Sequence, residues 1–481
     1  MDFNKRVKKY AHANFGEVYH CTLNPEGPGV VRIFLVPPVA EDVDIDEGFA
    51  SSIAIVNGQD VIPVNMAWSI LLIEFIKAVN CYDGKAVSDE DVQDILKATC
   101  KAVRKVYPSI GKKRLKSDIF TIMKTFSQVA RGEEVDEPIC YVSLGEYAPY
   151  MRAPHRMDLM VSSMTAGGRW NCNLKCVHCY AAGQEQAAQP ELETSEWKRI
   201  IDRCREAGVT QVTFTGGEPT MRGDLFDLVD YARWFVTRLN TNGIKLTREY
   251  CDGLRRVSLD SVQVTLYSSD EAVHNELVGA PRFADTVAGI ENALAAGLNL
   301  SVNTPLCTLN RDYVKTLEFL RAKGVVYVTC SGLITTGNAA KPESEQMQLS
   351  GDELEPLLRE AVRFCAEHDM EISFTSPGWV DASFCHDLGI NAPTCGACLS
   401  NMAVTPSGKV VACQSWLNGP VLGDMLTDSW EDIWYGDRCR TIRSFSAKMT
   451  GECPLRKQAN GDEPPVPSEI PQTDGSEEVV A

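Results

Sequence analysis

Residues 172–180 read Cys-Asn-Leu-Lys-Cys-Val-His-Cys-Tyr and follow a glycine pair, Gly167 and Gly168. The three thiols have CxxxCxxC spacing. Three thiolates on one loop can bind three irons of a cubic [4Fe–4S] cluster and leave the fourth iron open to another ligand. A zinc site needs a fourth ligand, and His178 lies too close to Cys179 for ordinary zinc spacing. Chance spacing in a cysteine-rich chain is the remaining alternative.

This loop lies inside a repeating pattern of strands and helices that runs from about residue 157 to residue 334. Apolar runs typical of strands occupy residues 158–162, 211–215, 236–240, 261–267, 298–304 and 325–330. Amphipathic helical patterns lie between them at residues 194–206, 225–234, 246–257, 284–296 and 312–323. Alternating strands and helices predict an α/β domain with a parallel sheet, either open or curled into a partial barrel. Catalytic groups of such folds gather at the carboxyl ends of the strands, and the cysteine loop follows the first strand.

The composition is that of a globular protein with several domains: 481 residues, 44% hydrophobic and 23% charged. The chain has 18 cysteines but only 7 histidines, with no recognisable signal peptide and no apolar stretch of membrane-spanning length. We therefore expect a cytoplasmic protein. Because disulfides are rare in that compartment, we expect the cysteines to act as metal ligands, catalytic groups or core residues.

The net charge of −18 argues against a nucleic-acid-binding protein, which would normally present a basic face. We expect neither nucleic acid nor a membrane as a partner. Residues 458–481 hold six acidic side chains and four prolines without a Lys or Arg, which predicts a disordered acidic tail.

The cysteine loop resembles the signature of the radical S-adenosylmethionine (radical SAM) superfamily, CxxxCxΦC, with His178 at the aromatic position. The resemblance implies a partial (β/α)6 barrel in which Cys172, Cys176 and Cys179 hold the catalytic [4Fe–4S] cluster. It further implies that S-adenosyl-L-methionine binds the open iron and is cleaved to a 5′-deoxyadenosyl radical, which abstracts a substrate hydrogen. That chemistry needs an electron donor such as flavodoxin or ferredoxin, and a dry pocket.

Further motifs of the same family follow the other predicted strands. Gly-Gly-Glu-Pro at residues 216–219 matches the GGEP motif, and Asn-Thr-Asn-Gly at residues 240–243 also resembles relatives. Tyr267 stands where many relatives have an aspartate. The resemblance implies cofactor contacts from His178, Tyr180, Gly216, Gly217, Glu218, Pro219, Asn242, Thr265 and Asn303. For Thr265 and Asn303 the alternative is a polar strand-end residue that caps the next turn.

A second group of cysteines lies near the C-terminus. Cys395 and Cys398 form a CxxC pair, and CX9GX4C spacing leads to Cys413 across a predicted hairpin turn at residues 406–409. This stretch resembles the SPASM/Twitch extension of radical SAM enzymes, which implies one auxiliary [4Fe–4S] cluster. Cys453 is the expected fourth ligand and Cys439 its rival. No cysteine follows Cys453, so a second auxiliary cluster is not expected, and a structural zinc site is the alternative.

Most of the other cysteines fall on apolar faces or in strand interiors, where a cysteine usually fills the core. The predicted core cysteines are Cys21, Cys81, Cys100, Cys140, Cys204, Cys251, Cys307, Cys330 and Cys365. Cys385 is either a spare ligand or a catalytic acid, or else it is structural.

The N-terminal part has its own pattern, which predicts strands at 30–36, 52–56 and 60–64, then helices at 66–78, 89–106 and 116–130. Asn57-Gly58 predicts a hairpin turn, and Ser88 a helix start. Three strands before three helices resemble a winged-helix-like precursor-recognition element, which would bind a leader peptide by strand addition. The alternative is a packing domain. The predicted domains are residues 1–135, 155–340 (partial barrel), 345–457 (SPASM/Twitch) and the tail 458–481.

These features together predict a radical SAM enzyme that modifies a ribosomally made precursor peptide by a thioether or carbon–carbon crosslink. Modification of a small molecule such as a tetrapyrrole, or formylglycine formation on a sulfatase, is the enzymatic alternative. A non-catalytic Fe–S electron carrier is disfavoured, because it needs neither an open iron nor the motif at residues 216–219.

Overall fold

A computed structural model describes residues 3–23, 30–38, 52–58, 60–82, 88–136, 139 and 141–459. The chain divides into two units, Met1–Arg152 and Ala153–Ala481. Cys140 and residues 460–481 of the predicted tail lie outside the described residues, whereas residues 458–459 belong to the last helix. Within the described residues, no helix is both long and apolar enough to cross a bilayer.

The first unit is built on a four-stranded antiparallel sheet with the order β1-β2-β3-β4. Its elements in chain order are α1 (Phe3–Asn14), β1 (Tyr19–Leu23), β2 (Val31–Val36), β3 (Ser52–Val56), β4 (Asp60–Val64), α2 (Met66–Asn80), α3 (Asp89–Val106), α4 (Lys112–Ala130) and α5 (Leu144–Tyr147). The three predicted strands and three predicted helices are present, but α1 and β1 were not predicted.

Local sequence explains the turns of this unit. Asn57 and Gly58 adopt φ of 49° and 74°, the left-handed conformation that a tight hairpin requires. The Asn57 side chain accepts a hydrogen bond of 2.8 Å from the Arg32 backbone, which fastens the turn to β2. Ser88 caps α3 in a reciprocal capping box with Asp91, as its sequence position predicts.

The second unit contains a ten-stranded sheet with the order β13-β12-β11-β10-β9-β8-β5-β14-β15-β16 and a small β6-β7 hairpin. Its strands are β5 (Arg156–Ser162), β6 (Thr165–Ala166), β7 (Arg169–Trp170), β8 (Gln211–Gly216), β9 (Val236–Thr241), β10 (Ser261–Thr265), β11 (Asn299–Pro305), β12 (Tyr327–Ser331), β13 (Glu371–Phe374), β14 (Asn401–Val404), β15 (Lys409–Val411) and β16 (Gly423–Asp424).

Helices lie between many of these strands along the chain and also follow the last one. They are α6 (Thr194–Ala207), α7 (Leu225–Tyr231), α8 (Arg248–Arg256), α9 (Glu271–Val278), α10 (Phe283–Ala295), α11 (Tyr313–Ala322), α12 (Pro342–Glu345), α13 (Gly351–Glu367), α14 (Ala382–Asp387), α15 (Trp430–Trp434), α16 (Asp437–Ala447) and α17 (Pro454–Ala459). Short 3-10 helices occupy Glu185–Ala188, Pro219–Met221 and Gly337–Ala340 in this unit and Ala148–Tyr150 in the first unit.

The predicted α/β class is confirmed, and the six predicted strands are the consecutive parallel strands β5 and β8–β12. The repeat continues beyond residue 345, since α13 leads into β13, which pairs in parallel with β12. On the other side, β14 pairs in parallel with β5, so the strand that follows the Cys395–Cys398 pair joins the main sheet. Neither β13 nor α9 was predicted, because both are short and lack a strong apolar period.

The central strands have two chemically different faces. In β10, Val262 and Val264 are buried, whereas Ser261, Gln263 and Thr265 on the opposite face are half-buried. Because successive strand residues point to opposite sides, one face is apolar and packs against helices, and the other is polar. This second side is called the polar face below.

Helix α6 shows how the apolar face is covered. A Glu193–Glu196 capping box begins the helix and Gly208, with φ of 93°, ends it. Trp197, Ile200, Ile201 and Cys204 recur at helical spacing and are all buried. This stripe fastens α6 to the sheet.

Trp197 is fully buried and among the largest buried side chains, so Trp197→Ala should leave a cavity. We expect a loss of about 3–5 kcal/mol in the free energy of unfolding, measured by equilibrium urea unfolding. Tyr231→Ala is the control, because Tyr231 is 42% exposed, and its loss should be under about 1 kcal/mol. Equal losses would show that the α6 stripe does not stabilise the unit.

Candidate active site

The predicted cysteine loop, residues 171–180, is fixed by hydrogen bonds with two helical segments of the second unit. The Lys175 and Val177 amides donate to the carbonyls of Val278 and Leu277, at 3.2 and 3.0 Å. Asn338 donates from its side chain to the Cys176 carbonyl at 3.2 Å, and from its backbone to the Cys179 carbonyl at 2.9 Å. The loop therefore depends on the end of α9 and on the 3-10 helix Gly337–Ala340 for its shape.

The three thiols of the loop lie close enough to influence one another. Burial, followed by the charges of Glu218 and Cys179, raises the pKa of Cys172 to about 12. Burial, Cys179 and Cys172 also raise the pKa of Cys176. Metal binding would replace these thiol protons, since only thiolates are ligands.

The chemistry of this donor set suits a cluster. Among the described residues, no group of three His, Cys, Asp or Glu side chains converges on a single metal-ion position. A cubic cluster distributes its thiolates over separate irons, so convergence on one point is not required.

The two glycines of the Gly-Gly-Glu-Pro motif pack closely against the end of β5. A Cβ on Gly216 would lie 2.2 Å from the Ser162 carbonyl oxygen, and one on Gly217 would lie 2.6 Å from the Ser163 carbonyl oxygen. Gly216 also has φ of +137°. The Cys172 thiol lies 3.6 Å from the Gly217 carbonyl. Only glycines allow β8 to end beside β5 and the cysteine loop.

Glu218 joins the ends of β8 and β9. Its carboxylate accepts hydrogen bonds from the Thr220 amide at 3.0 Å, the Thr241 hydroxyl at 2.7 Å and the Asn242 amide at 2.8 Å. The side chain is buried, and burial raises the pKa of its carboxyl group despite these hydrogen bonds. Pro219 is buried beside it. Most of the acceptor capacity is thus used within the chain, and one lone pair of Oε2 remains available.

Asn242 continues this connection to the cysteine loop. Its side chain donates to Asn173 Oδ1 at 2.6 Å, and its Oδ1 accepts from the Ile244 amide at 3.1 Å. Asn242 therefore positions the residue next to Cys172.

The other predicted cofactor residues occupy three different settings. Thr265 and Asn303 are paired in register at the ends of β10 and β11, and Asn303 accepts a hydrogen bond of 2.8 Å from Thr329. Neither ring nitrogen of buried His178 has a hydrogen-bond partner among the described residues. Burial raises the pKa of Tyr180, the residue after the last loop cysteine.

Tyr267 is a site residue that sequence reasoning did not assign. Its ring meets the His178 imidazole edge-on with centroids 4.8 Å apart, and its hydroxyl lies beside the Cys176 thiol, whose pKa it lowers. The Tyr267 amide donates to His274 at 3.3 Å, and its carbonyl accepts from Asn310 at 2.7 Å. The only sequence signal was the tyrosine in place of the family's aspartate.

The auxiliary cysteines flank the predicted hairpin, which forms from β14 and β15. Burial, then Cys395 and Cys453, raises the pKa of Cys413 to about 12. Cys453 is therefore close to two members of the predicted set. Cys439 instead lies beside Cys398, where hydrogen bonding with Cys398, and then the Arg443 guanidinium at 3.4 Å, lowers its pKa. Each rival for the fourth ligand position adjoins a different part of the set.

The cysteines outside the two groups differ in how deeply they are buried. Seven predicted core cysteines are buried as expected: Cys21, Cys100, Cys204, Cys251, Cys307, Cys330 and Cys365. The prediction for Cys81 was wrong, because this residue ends α2 and is exposed. Cys385 is fully buried on α14, and burial raises the pKa of its thiol, which favours a structural role.

Gln184 is a second residue that the sequence did not reveal. It is buried and accepts from the backbone amides of Leu417 and Asn418, at 2.9 and 3.0 Å. Its side chain also donates to the carbonyls of Tyr180 and Ser415. It therefore couples the chain after Cys179 to the chain after Cys413.

Tyr267→Phe should make the cluster on the cysteine loop harder to reduce. A hydroxyl beside a cluster thiolate favours the reduced, more negative state, so its removal lowers the midpoint potential. We expect the reduced fraction at fixed potential to fall roughly threefold to tenfold, a tenfold change being about 59 mV for one electron. Redox titration followed by electron paramagnetic resonance measures the shift.

Tyr313→Phe is the matched control for this experiment. Tyr313 is also buried, and its hydroxyl lies beside Cys330, which is not a predicted ligand. In this variant the midpoint potential of the cluster should be unchanged. An unchanged potential in Tyr267→Phe as well would remove Tyr267 from the set of residues that tune the cluster.

Family models match two regions of the chain. Residues 171–320 match the radical SAM superfamily, and residues 395–455 match SPASM, an iron–sulfur cluster-binding domain. These regions contain the cysteine loop and the auxiliary cysteines, respectively.

Curated relatives have several different activities. A probable GTP 3′,8-cyclase of Methanopyrus kandleri is 37% identical over 33% of this chain and 52% of its own length. An AdoMet-dependent heme synthase of Oleidesulfovibrio alaskensis is 27% identical over 60% of this chain and 79% of its own. The mycofactocin maturase MftC of Mycolicibacterium smegmatis is 27% identical over 59% and 72%. The match to the first relative thus spans about half of that protein.

Two solved structures share the fold. Streptococcus suis SuiB bound to its precursor peptide SuiA has a TM-score of 0.57 at 13% identity, over 87% of this chain and 96% of SuiB. AnSMEcpe with bound AdoMet has a TM-score of 0.52 at 15% identity, over 65% of this chain and 92% of its own.

The two domain matches name the cofactors as well as the fold. A radical SAM domain implies S-adenosyl-L-methionine and a [4Fe–4S] cluster, and a SPASM domain implies an auxiliary Fe–S cluster. The cysteine loop and the glycine-lined strand ends fit S-adenosyl-L-methionine and the [4Fe–4S] cluster of the radical SAM domain. The chain therefore contains a radical SAM domain in residues 171–320, followed by a SPASM domain in residues 395–455.

Proposed function

We propose that this enzyme modifies a ribosomally made peptide through a thioether or carbon–carbon crosslink. The observation that carries the proposal is the domain combination: a radical SAM domain, a SPASM domain and a separate N-terminal unit with an antiparallel sheet. The peptide maturase MftC and the peptide-bound SuiB structure support this reading. The match to a heme synthase favours tetrapyrrole modification as the second candidate.

In this proposal Cys172, Cys176 and Cys179 hold the catalytic cluster, at which bound S-adenosyl-L-methionine supplies a 5′-deoxyadenosyl radical for hydrogen abstraction. The chain's own residues position and shield this chemistry. Because Gly216 and Gly217 have no side chains, the backbone at the end of β8 lies in contact with the end of β5 and the cysteine loop. The remaining lone pair of Glu218 receives the cofactor amine. Polar side chains at the strand ends contact the cofactor in this proposal: Thr265, Asn303 and Asn242. The other proposed contacts come from His178, Tyr180 and Pro219.

The SPASM cysteines Cys395, Cys398, Cys413 and Cys453 would hold one auxiliary cluster. Asp158 affects the pKa of both Tyr180 and Cys413, so the catalytic loop and the auxiliary cysteines lie within electrostatic reach of one residue. An auxiliary cluster at this place could bind a substrate thiolate or accept the electron left after crosslinking. A flavodoxin or ferredoxin would supply the reducing electron.

The N-terminal unit is proposed to bind the leader of the peptide along strand β1. The other edge strand, β4, contains Pro63, which has no N–H to donate to an added strand. In β1, the His20 carbonyl accepts from the Asn80 side chain at 2.9 Å, which marks His20 and Thr22 as the outward-facing backbone positions. A leader strand would pair there.

Anaerobic reconstitution should give about eight irons per chain if both sites hold [4Fe–4S] clusters. Cys172→Ala, Cys176→Ala or Cys179→Ala should reduce this to about four and abolish release of 5′-deoxyadenosine from S-adenosyl-L-methionine. Iron analysis and chromatography of the nucleoside measure the two effects. Four irons with one zinc would overturn the auxiliary-cluster assignment.

Cys413→Ala separates the two sites. It should also lose about four irons but retain cofactor cleavage, while product formation disappears. Cys204→Ala, at a buried cysteine on α6, is the control and should retain both clusters. Loss of cleavage in Cys413→Ala would show that the two sites do not act separately.

Leader binding should fail when the outer edge of β1 loses a donor. Thr22→Pro removes the backbone N–H, and we expect at least about a tenfold weaker affinity of the full-length enzyme for its precursor peptide. If a short reading frame lies beside the gene, its product is the peptide to use, and fluorescence anisotropy measures its binding.

Thr22→Ala keeps the backbone N–H and should bind the peptide normally. If Thr22→Pro binds as tightly as Thr22→Ala, the leader does not pair with β1. If a correctly loaded enzyme converts a tetrapyrrole but no peptide, the second candidate function replaces the first.

A further inference from the structure

The polar face of the sheet carries a charged row across three neighbouring strands. Asp158 of β5 pairs in register with Thr213 of β8, which pairs with Arg238 of β9. Residues on one row of a parallel sheet point to the same side, so these three side chains share the polar face. The row lies three residues or more below the strand ends that carry the predicted cofactor residues.

The charges of this row do not cancel. Asp158 is 1% exposed and forms an ion pair with Arg156, with Nε and Oδ1 at 2.9 Å. Arg238 is half-buried and has no ion pair and no hydrogen bond among the described residues. Its pKa is lowered by desolvation and then by Arg156, and the more distant Asp158 only partly opposes this shift. Two guanidinium groups therefore face one carboxylate, and one positive charge remains without a counter-charge.

A neighbouring hydroxyl is also without a partner. Thr213 is 3% exposed, and its Oγ1 forms no hydrogen bond within the described part of the chain. Buried polar groups are nearly always hydrogen-bonded, and buried charges are nearly always paired. A donor hydroxyl and an unpaired guanidinium side by side are the complement of a bound anion.

We propose that Arg238, with Thr213, binds a carboxylate of the substrate on the polar face. A guanidinium offers two parallel N–H donors that match the two oxygens of a carboxylate, and the threonine hydroxyl adds a third donor. Asp158 on the same row affects the pKa of Tyr180 and of Cys413, so a carboxylate at Arg238 would anchor the substrate near both cysteine groups. This assignment deepens the proposed function, because it names a chemical group that the substrate must carry.

Two kinds of group can supply the carboxylate: the C-terminus of a peptide, or a propionate, which both a glutamate side chain and a tetrapyrrole carry. N-acetylglycine represents the first and propionate the second, and their amides, N-acetylglycinamide and propionamide, are neutral controls. Ligand-observed nuclear magnetic resonance titration of the reconstituted full-length enzyme measures the affinity of each probe. We expect each acid that uses the site to bind at least about tenfold more tightly than its amide.

Arg238→Gln should remove this preference, and Arg238→Lys, which keeps the charge but not the two parallel donors, should retain only part of it. Arg233→Gln changes an exposed arginine that pairs with Asp230, and should bind like the wild type. Iron content and the visible absorption of the clusters show whether each variant is folded.

The proposal would be overturned if acid and amide bound equally, or if neither bound detectably at concentrations up to about 100 mM. An unchanged preference in a folded Arg238→Gln variant would overturn it as well. Failure of the peptide function gives a different result: the acids would still bind through Arg238, but no peptide would be converted. A preference for propionate over N-acetylglycine would then favour the tetrapyrrole candidate.

Discussion

The close approach of β8 to β5 is the contact on which the site depends. At Gly216 and Gly217 the two strand ends leave no space for a Cβ, since it would lie within 2.6 Å of a carbonyl oxygen. This approach places Glu218 where it accepts hydrogen bonds from Thr241 and Asn242 at the end of β9. Asn242 then bonds to Asn173 in the cysteine loop, so one packing constraint reaches from β5 to that loop.

The same sheet brings the two cysteine groups together. Strand β14 follows the Cys395–Cys398 pair and joins the sheet beside β5, whose own C-terminal end leads to the cysteine loop. Gln184 bonds across from the chain after Cys179 to the chain after Cys413. The SPASM cysteines are thus placed by sheet pairing and by one buried amide, rather than by a flexible connection. A substrate on the polar face would lie near both groups.

Periodicity and spacing predicted much of this molecule. The six parallel strands, the hairpin at residues 57–58 and the Ser88 helix cap depend on neighbouring residues, and each was found. The short strand β13 and the helix α9 were missed because their apolar periods are too brief to recognise. Strand β1 and helix α1 were missed as well, since much of β1 is only half-buried. Cys81 was misassigned, because position on a helix does not reveal which side becomes exposed.

By itself, the sequence determined the features that depend on short distances along the chain: the CxxxCxxC loop, the Gly-Gly-Glu-Pro motif and the CX9GX4C hairpin. Only the tertiary structure decided which distant residues meet them. Tyr267 reaches Cys176, and Cys453 and Cys439 approach different members of the auxiliary set. Arg238 shares a row with Asp158 from a strand some eighty residues earlier. Such contacts arise from strand order and register, which are set by packing across the whole sheet and have no signature in a local stretch of sequence.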